Sequence, residues 1–259
     1  SAVAACGGRA DESAPPDVAA TRTQATQATQ TTRATRTVAQ KRPSPCRAGE
    51  TKRVGSSTRA FAAVAQNRTV AYREPGRRAF ATFETENAND VPTVFSVRAK
   101  RVDAACEPRW YRVQLPAKPN GVTGWVRAED VELTPVTTRI LVDLSERRVT
   151  LFDRGRTVLT TRAAIGTAST PTPTGSYYVN QRLVPADPSG PFGPGAIGIS
   201  AFSEVLTGWT QGGPIAIHGT NRPDLIGQAV SNGCIRVRNG ELLELFDRTL
   251  AGTPVTVRA

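Results

Sequence analysis

Methionine is absent from this 259-residue chain, histidine occurs once, and no hydrophobic run is long. A lone His among scattered carboxylates has no metal-ligand spacing, so no metal and no other cofactor is expected. None of the apolar runs approaches the roughly 18 to 20 residues that a helical membrane span requires, so no such span is expected in the chain as given. Without Met, Ser1 is not a translation start, and an upstream segment is expected to have been removed or omitted. Acidic residues are outnumbered, 22 against 33 Lys and Arg, giving a formal charge of +11 and a pI near 10.4. Such a balance ordinarily raises nucleic acid as a partner. Here the arginines are scattered, not clustered with aromatics, and no nucleic-acid motif occurs, so no nucleic acid is expected. An anionic cell wall or membrane surface is the better partner, and a merely solvated basic surface explains the charge equally well.

What is present divides the chain into three. Residues 1–50 include Thr21-Arg22-Thr23-Gln24-Ala25-Thr26-Gln27, a low-complexity stretch without apolar period, and are expected to be a disordered tether. Residues 51–134 carry short alternating runs, among them Trp110-Tyr111-Arg112-Val113 and Gly124-Trp125-Val126, which predict a small β-barrel. Trp110 and Trp125 suit either a core or an aromatic shelf for peptide or glycan, with core packing favoured. Residues 135–259 open with strands over 138–144 and 148–152, continue through 157–165 as an antiparallel meander, and add a strand at 176–180. Residues 187–195, rich in Pro and Gly, are a long loop, either a lid or a loose insertion. One late helix is expected, capped by Asn239, with Leu242, Leu245, Phe246 and Leu250 on its apolar face and Gly252 ending it. The fold class is therefore mainly β.

The chemistry-bearing residues lie in the third segment. Sixteen residues separate His218 from Cys234, the cysteine in Ser231-Asn232-Gly233-Cys234-Ile235-Arg236. A thiolate is a strong nucleophile, and a neighbouring imidazole can take the thiol proton and return it to a leaving amine. Pro214-Ile215-Ala216-Ile217 is of strand type and Gly219 stops it, which places His218 at a strand end. Gly233 allows a sharp turn at which backbone N–H groups can line an oxyanion hole. Taken singly, a Cys between apolar neighbours also suits a small buried hydrophobe, and a lone His a structural residue.

The stretch from Ile217-His218-Gly219-Thr220 to Ser231-Asn232-Gly233-Cys234-Ile235-Arg236 resembles the active-site signature of the L,D-transpeptidase catalytic domain (YkuD type), which cross-links bacterial peptidoglycan. Ile140-Leu141-Val142-Asp143-Leu144 resembles its opening strand, Pro171-Thr172-Pro173-Thr174-Gly175 its hairpin segment, and Gly252-Thr253-Pro254-Val255 its closing strand. The likeness covers residues 137 to 259 and implies a β-sandwich with the active site on one side. It implies that Cys234 is the nucleophile and His218 the general base and acid. Gly233, Ser231 and Asn232 fall on the oxyanion or supporting positions, Asn232 standing where a second histidine is more frequent. Arg236 is either a clamp for a stem-peptide carboxylate or half of an ion pair ordering the nucleophile loop, and Gly219 is expected at the substrate. The segment from Trp110 to Val131 resembles the bacterial SH3-like domain, a module often placed beside wall enzymes.

The implied reaction is transpeptidation on peptidoglycan stem peptides through a Cys234 thioester, forming 3-3 cross-links, with carbapenem β-lactams as inhibitors. Hydrolysis by the same site would make an L,D-carboxypeptidase, and loss of activity a wall-binding protein. Slow alkylation of Cys234 is the expected mark of the latter. Val3-Ala4-Ala5-Cys6-Gly7-Gly8 resembles the end of a bacterial lipoprotein signal, which implies a lipid anchor at Cys6, an extracytoplasmic location and a tether with an r.m.s. reach of roughly 30 to 40 Å. With Cys234 reduced and Cys6 acylated, Cys46 and Cys106 are left as a candidate disulfide.

Overall fold

The computed structural model describes residues 46–259 apart from 207 and 209. The expected tether up to residue 45, with the proposed anchor at Cys6, lies outside the described residues. Residues 46–50 belong to the folded part: Cys46 forms a disulfide with Cys106, Gly49 N–H donates to Val102 O, and Val102 N–H donates to Glu50 O. The bridge draws together residues 60 apart in the sequence.

The first sheet contains β1 (Thr51–Arg53), β2 (Ala60–Ala65), β3 (Thr69–Glu74), β4 (Arg77–Phe83), β5 (Val94–Val102), β6 (Pro108–Gln114), β7 (Thr123–Arg127) and β8 (Val131–Val136). Its order is β4-β3-β7-β6-β5-β2-β8, with β1 on β5. β8 keeps its pairing with β2 through Val136, so the sheet ends two residues beyond the expected boundary. Alternation along the strands turns Phe95, Val97, Val113, Leu115 and Val126 into one core. Trp110 and Trp125 are only half-buried and lie outside that core, contrary to the packing role favoured from sequence. Trp110 instead meets Tyr72 edge-on, with ring centroids 5.6 Å apart, and Arg127 sits 5.8 Å from its ring.

The second sheet contains β9 (Thr138–Asp143), β10 (Arg148–Asp153), β11 (Arg156–Arg162), β13 (Gly175–Leu183), β14 (Ala196–Phe202), β15 (Pro214–His218), β17 (Ile235–Arg236) and β18 (Pro254–Arg258); β12 (Ile165–Gly166) pairs separately with β16 (Ala229–Ser231). The order is β11-β10-β9-β18-β13-β14-β15-β17. β9 to β11 form the expected meander. The pivot is β13: its first half, Gly175 to Tyr178, pairs with β18, and Val179 to Leu183 pairs with β14. The sheet therefore folds over along one strand, and both halves feed one core in which Ile140 and Leu151 meet Ile197, Ile215 and Ile217. β14, seven residues with six of them buried, reads as a continuous apolar run and was not anticipated. Pro171 to Thr174 is an extended approach to β13, not a hairpin.

The helix α1 (Asn239–Arg248) buries Leu242 and Leu245 and packs Phe246 on the core. Leu250 lies beyond it and is exposed, so the apolar face is shorter than expected. Asn239 makes no capping bond. Its Oδ1 accepts from Thr220 N–H at 2.8 Å, which ties the helix to the segment after His218.

The two sheets are sewn together by buried polar bonds. Tyr178, fully buried, donates its hydroxyl to Val94 O (3.0 Å), and Gln114 Nε2 donates to Ser176 O (2.9 Å). Gly252 lies so close to β2 that a Cβ there would fall 2.3 Å from that of Ala62.

Candidate active site

His218 ends β15 and Cys234 immediately precedes β17, and these strands run parallel with His218 opposite Arg236. With Ile217 opposite Ile235, Cys234 lies level with Ala216, two residues before His218 and so on the same face of the sheet, which is how residues sixteen apart in the chain come to line one cavity. The cavity, about 190 Å³, has Cys234, His218, Asn232 and Arg236 at its base. Pro191, Phe192, Ser203, Leu206, Gly213 and Pro214 complete its lining.

The turn carrying Cys234 is held from within and from below. Gly233 adopts φ +107°, a left-handed conformation that side chains resist. Ser231 Oγ donates to Cys234 O (2.6 Å) and accepts from Gly233 N–H (3.1 Å), clasping the turn across its own mouth. Beneath it, Thr172 Oγ1 donates to Gly233 O (2.8 Å) and accepts from Gly166 N–H (3.0 Å). Thr170 Oγ1 and Thr167 N–H both donate to Ser231 O. Because Gly233 N–H is taken by Ser231, it is not available to an oxyanion. Cys234 N–H makes none of the loop hydrogen bonds among the described residues, nor does Asn232 N–H, and of the two it is the donor next to the thiol.

His218 is 3% exposed, and its Nδ1 lies 2.6 Å from Gly219 O. A carbonyl only accepts, so Nδ1 carries the proton and Nε2 keeps the lone pair that can receive one. Burial, with the Arg236 charge adding to it, pulls the imidazole down to about 4 against the opposing Gly219 hydrogen bond. Burial likewise pushes the Cys234 thiol above its ordinary value, partly opposed by a backbone hydrogen bond from Ala216 and by Arg236. At neutral pH the resting pair is thiol and neutral imidazole, the protonation states from which a base-assisted attack begins.

Gly219, expected at the substrate, is buried and does not line the cavity. A Cβ there would meet Asn239 Oδ1 at 2.4 Å and Pro194 Cδ at 3.0 Å, so the glycine serves close packing while its carbonyl orients the imidazole. Arg236 has no ion-pair partner among the described residues, which removes the loop-ordering ion pair weighed for it. Its Nε is buried without a hydrogen-bond acceptor, leaving donor capacity at the cavity. Asn232 is exposed on the same rim. The 187–195 loop is folded, not loose: Asp187 accepts from Ser189, and Phe192 lies against His218 with ring centroids 4.9 Å apart. Leu206 has no signal in the sequence, whereas Phe192 lies in the 187–195 loop expected to be a lid or a loose insertion, and Thr172 in the Pro171-to-Gly175 segment.

Residues 137–257 match the family model described as the L,D-transpeptidase catalytic domain, YkuD. This part of the chain resembles an L,D-transpeptidase catalytic domain. The matched segment is 40% identical over 119 residues to the protein named L,D-transpeptidase YkuD of Bacillus licheniformis, and 38% identical over 118 residues to its namesake in Bacillus subtilis. Each match covers 46% of this chain and 64% of the relative, so the chain spans somewhat under two thirds of the length of these relatives. A crystal structure of a mutant Enterococcus faecium L,D-transpeptidase is 26% identical, with a TM-score of 0.38 over 47% of this chain and 49% of that one. Cys234, His218 and the cavity they line fall within the matched residues.

Proposed function

We propose that the protein is a peptidoglycan L,D-transpeptidase working outside the cytoplasm through a Cys234 thioester. The carrying observation is that Cys234 and His218 share one cavity as an uncharged pair, with unpaired donors of Arg236 beside them. Cys234 Sγ attacks the carbonyl carbon that follows the diamino acid at position three of a tetrapeptide stem. The thiol proton passes to His218 Nε2, and the oxyanion forms against Cys234 N–H. Collapse breaks the amide bond, and His218 returns the proton to the departing D-alanine amine. An amine from a second stem then attacks the thioester, His218 takes its proton, and the thiol is regenerated with a 3-3 cross-link formed. Arg236 is suited to hold a stem carboxylate through its planar donors. The N-terminal sheet, by its sequence likeness, is read as an SH3-like wall module, and Cys6 as the anchor of a lipoprotein.

Intact mass after incubation with a carbapenem tests the nucleophile. The parent is expected to gain one acyl adduct that Cys234→Ala lacks; absence from both would overturn the thioester reading. A disaccharide-tetrapeptide assay then separates cross-linked dimer from hydrolysed tripeptide, the second product alone favouring a carboxypeptidase.

A further inference from the structure

A second, larger cavity has a lining of its own, without the cysteine. It measures about 720 Å³, within the range of ligand sites, and runs along the seam between the two sheets. On one side are β1 and the loop leading to β2, with the exposed faces of β5 and β6; on the other are β9, β10 and the start of β18. The cleft shares no lining residue with the catalytic cavity.

Its walls carry one sign of charge. Arg53, Arg59, Arg98, Arg112 and Arg139 line it, and among the described residues no Asp or Glu does. All five are exposed, and none belongs to an ion pair among the described residues. They come from β1, the β1–β2 loop, β5, β6 and β9, so the fold gathers them from across the sequence. Elsewhere, arginines such as Arg109, Arg222 and Arg258 are neutralised by a neighbouring carboxylate. Between these guanidinium groups lie hydroxyl side chains, including Ser56, Ser57, Thr58 and Thr138. The only aromatic lining residue, Phe152, is already covered by Arg139 at 4.7 Å, which leaves no bare ring on which a nucleic-acid base can stack.

We propose that this cleft is a binding site for an anionic polyol or glycan chain, one whose phosphate or carboxylate groups pair with the arginine forks while its hydroxyls meet the Ser and Thr side chains. Occupied, the cleft would hold the catalytic domain against such a polymer while leaving the cysteine cavity open. The site stands independently of the reaction assigned to Cys234.

Three fluorescent probes of equal charge test it by anisotropy on the full chain: an oligo(glycerol phosphate), an oligogalacturonate and a single-stranded oligonucleotide. Arg53→Gln/Arg59→Gln/Arg139→Gln is expected to weaken polyol binding at least tenfold. Arg68→Gln/Arg77→Gln/Arg109→Gln, which removes the same charge from other surfaces, is expected to change it less than twofold. Binding of the phosphate probe only, or of the carboxylate probe only, identifies the source of the anion. Equal losses in the two variants would overturn the site in favour of diffuse attraction, and so would tightest binding of the oligonucleotide or no binding of either polyol probe. Carbapenem acylation, expected unchanged in both variants, reports that they are folded and separates this outcome from failure of the catalytic reading. Should the cleft triple variant be unfolded, Arg53→Gln alone, at an exposed position on the first strand, carries the same comparison.

Discussion

The thiol of Cys234 and the imidazole of His218 are both held uncharged by burial, and this changes what simple reagents report. A raised thiol reacts slowly with alkylating agents even in a working enzyme, so slow alkylation does not mark a binding module, contrary to the expectation from sequence; acylation, which His218 assists, is the informative probe. The depressed imidazole sets the acid limit. A free imidazole would be lost as a base near pH 6.5, whereas His218 stays neutral until about pH 4. Carbapenem acylation measured against pH is therefore expected to hold down to about pH 5 and to fall toward pH 4; a limb centred near 6.5 would contradict the burial argument. The same shift makes stability pH-dependent. The unfolded chain binds a proton below pH 6.5 and the folded one only below about 4, so stability present above 6.5 is lost as pH falls across that window. The full loss is about 3 kcal/mol at 1.36 kcal/mol per unit. Urea titrations at pH 7 and pH 4.5 should show this difference in the parent and a smaller one in His218→Gln.

At the scale of elements, the Cys234 turn depends on hydroxyls of Thr170, Thr172 and Ser231, which do not line the cavity. Thr172→Val keeps the shape but leaves Gly166 N–H and Gly233 O unpaired in a buried place, at a cost of about 1–3 kcal/mol. Chemical denaturation is expected to show that loss, together with slower acylation as the Cys234 turn loosens; unchanged acylation would mean that Ser231 alone suffices to hold it. The lining residue Ser203 is tied to the first sheet through its neighbour Phe202. Asn120 accepts from Phe202 N–H at 2.8 Å and donates to Phe202 O at 2.9 Å, next to Ser203 at the cavity. Asn120→Ala should raise the KM for the stem peptide more than it lowers kcat, with a melting temperature only modestly reduced. A purely structural bond would shift the melting point and leave KM alone.

Across the whole molecule, two constraints join the parts. Closing about sixty residues, the Cys46–Cys106 bridge stabilises by about 4 kcal/mol in the chain-entropy picture. Reductant is expected to lower the denaturation midpoint of the full chain while leaving Cys234 acylable under native conditions; loss of acylation on reduction would show the N-terminal sheet to be needed for the site. Gly252 is the tightest point of the seam. A methyl there meets the backbone and Cβ of Ala62, and the φ of +93° adds strain, so Gly252→Ala should make the seam permissive to protease, seen as cleavage near Thr137.

Alternation and punctuation made much of this legible from the chain alone: the meander of β9 to β11, β13, the strand ending at His218, the late helix and the candidate pair Cys234 and His218, which share one cavity. These are local patterns or short signatures, carried by neighbours within a few residues. What only the tertiary structure decided involves partners distant in sequence. β14 has too little alternation to announce itself because both its faces are buried. Asn239 looked like a cap, since capping chemistry is local, but a more distant backbone N–H at Thr220 claimed its oxygen. Thr172 under the turn, Phe192 on the imidazole and Leu206 in the cavity lining have no motif, because their role exists only once β15 and β17 lie side by side. The protonation states followed the same rule: sequence named the thiol and the imidazole, and burial, a property of the packed whole, determined which form each takes.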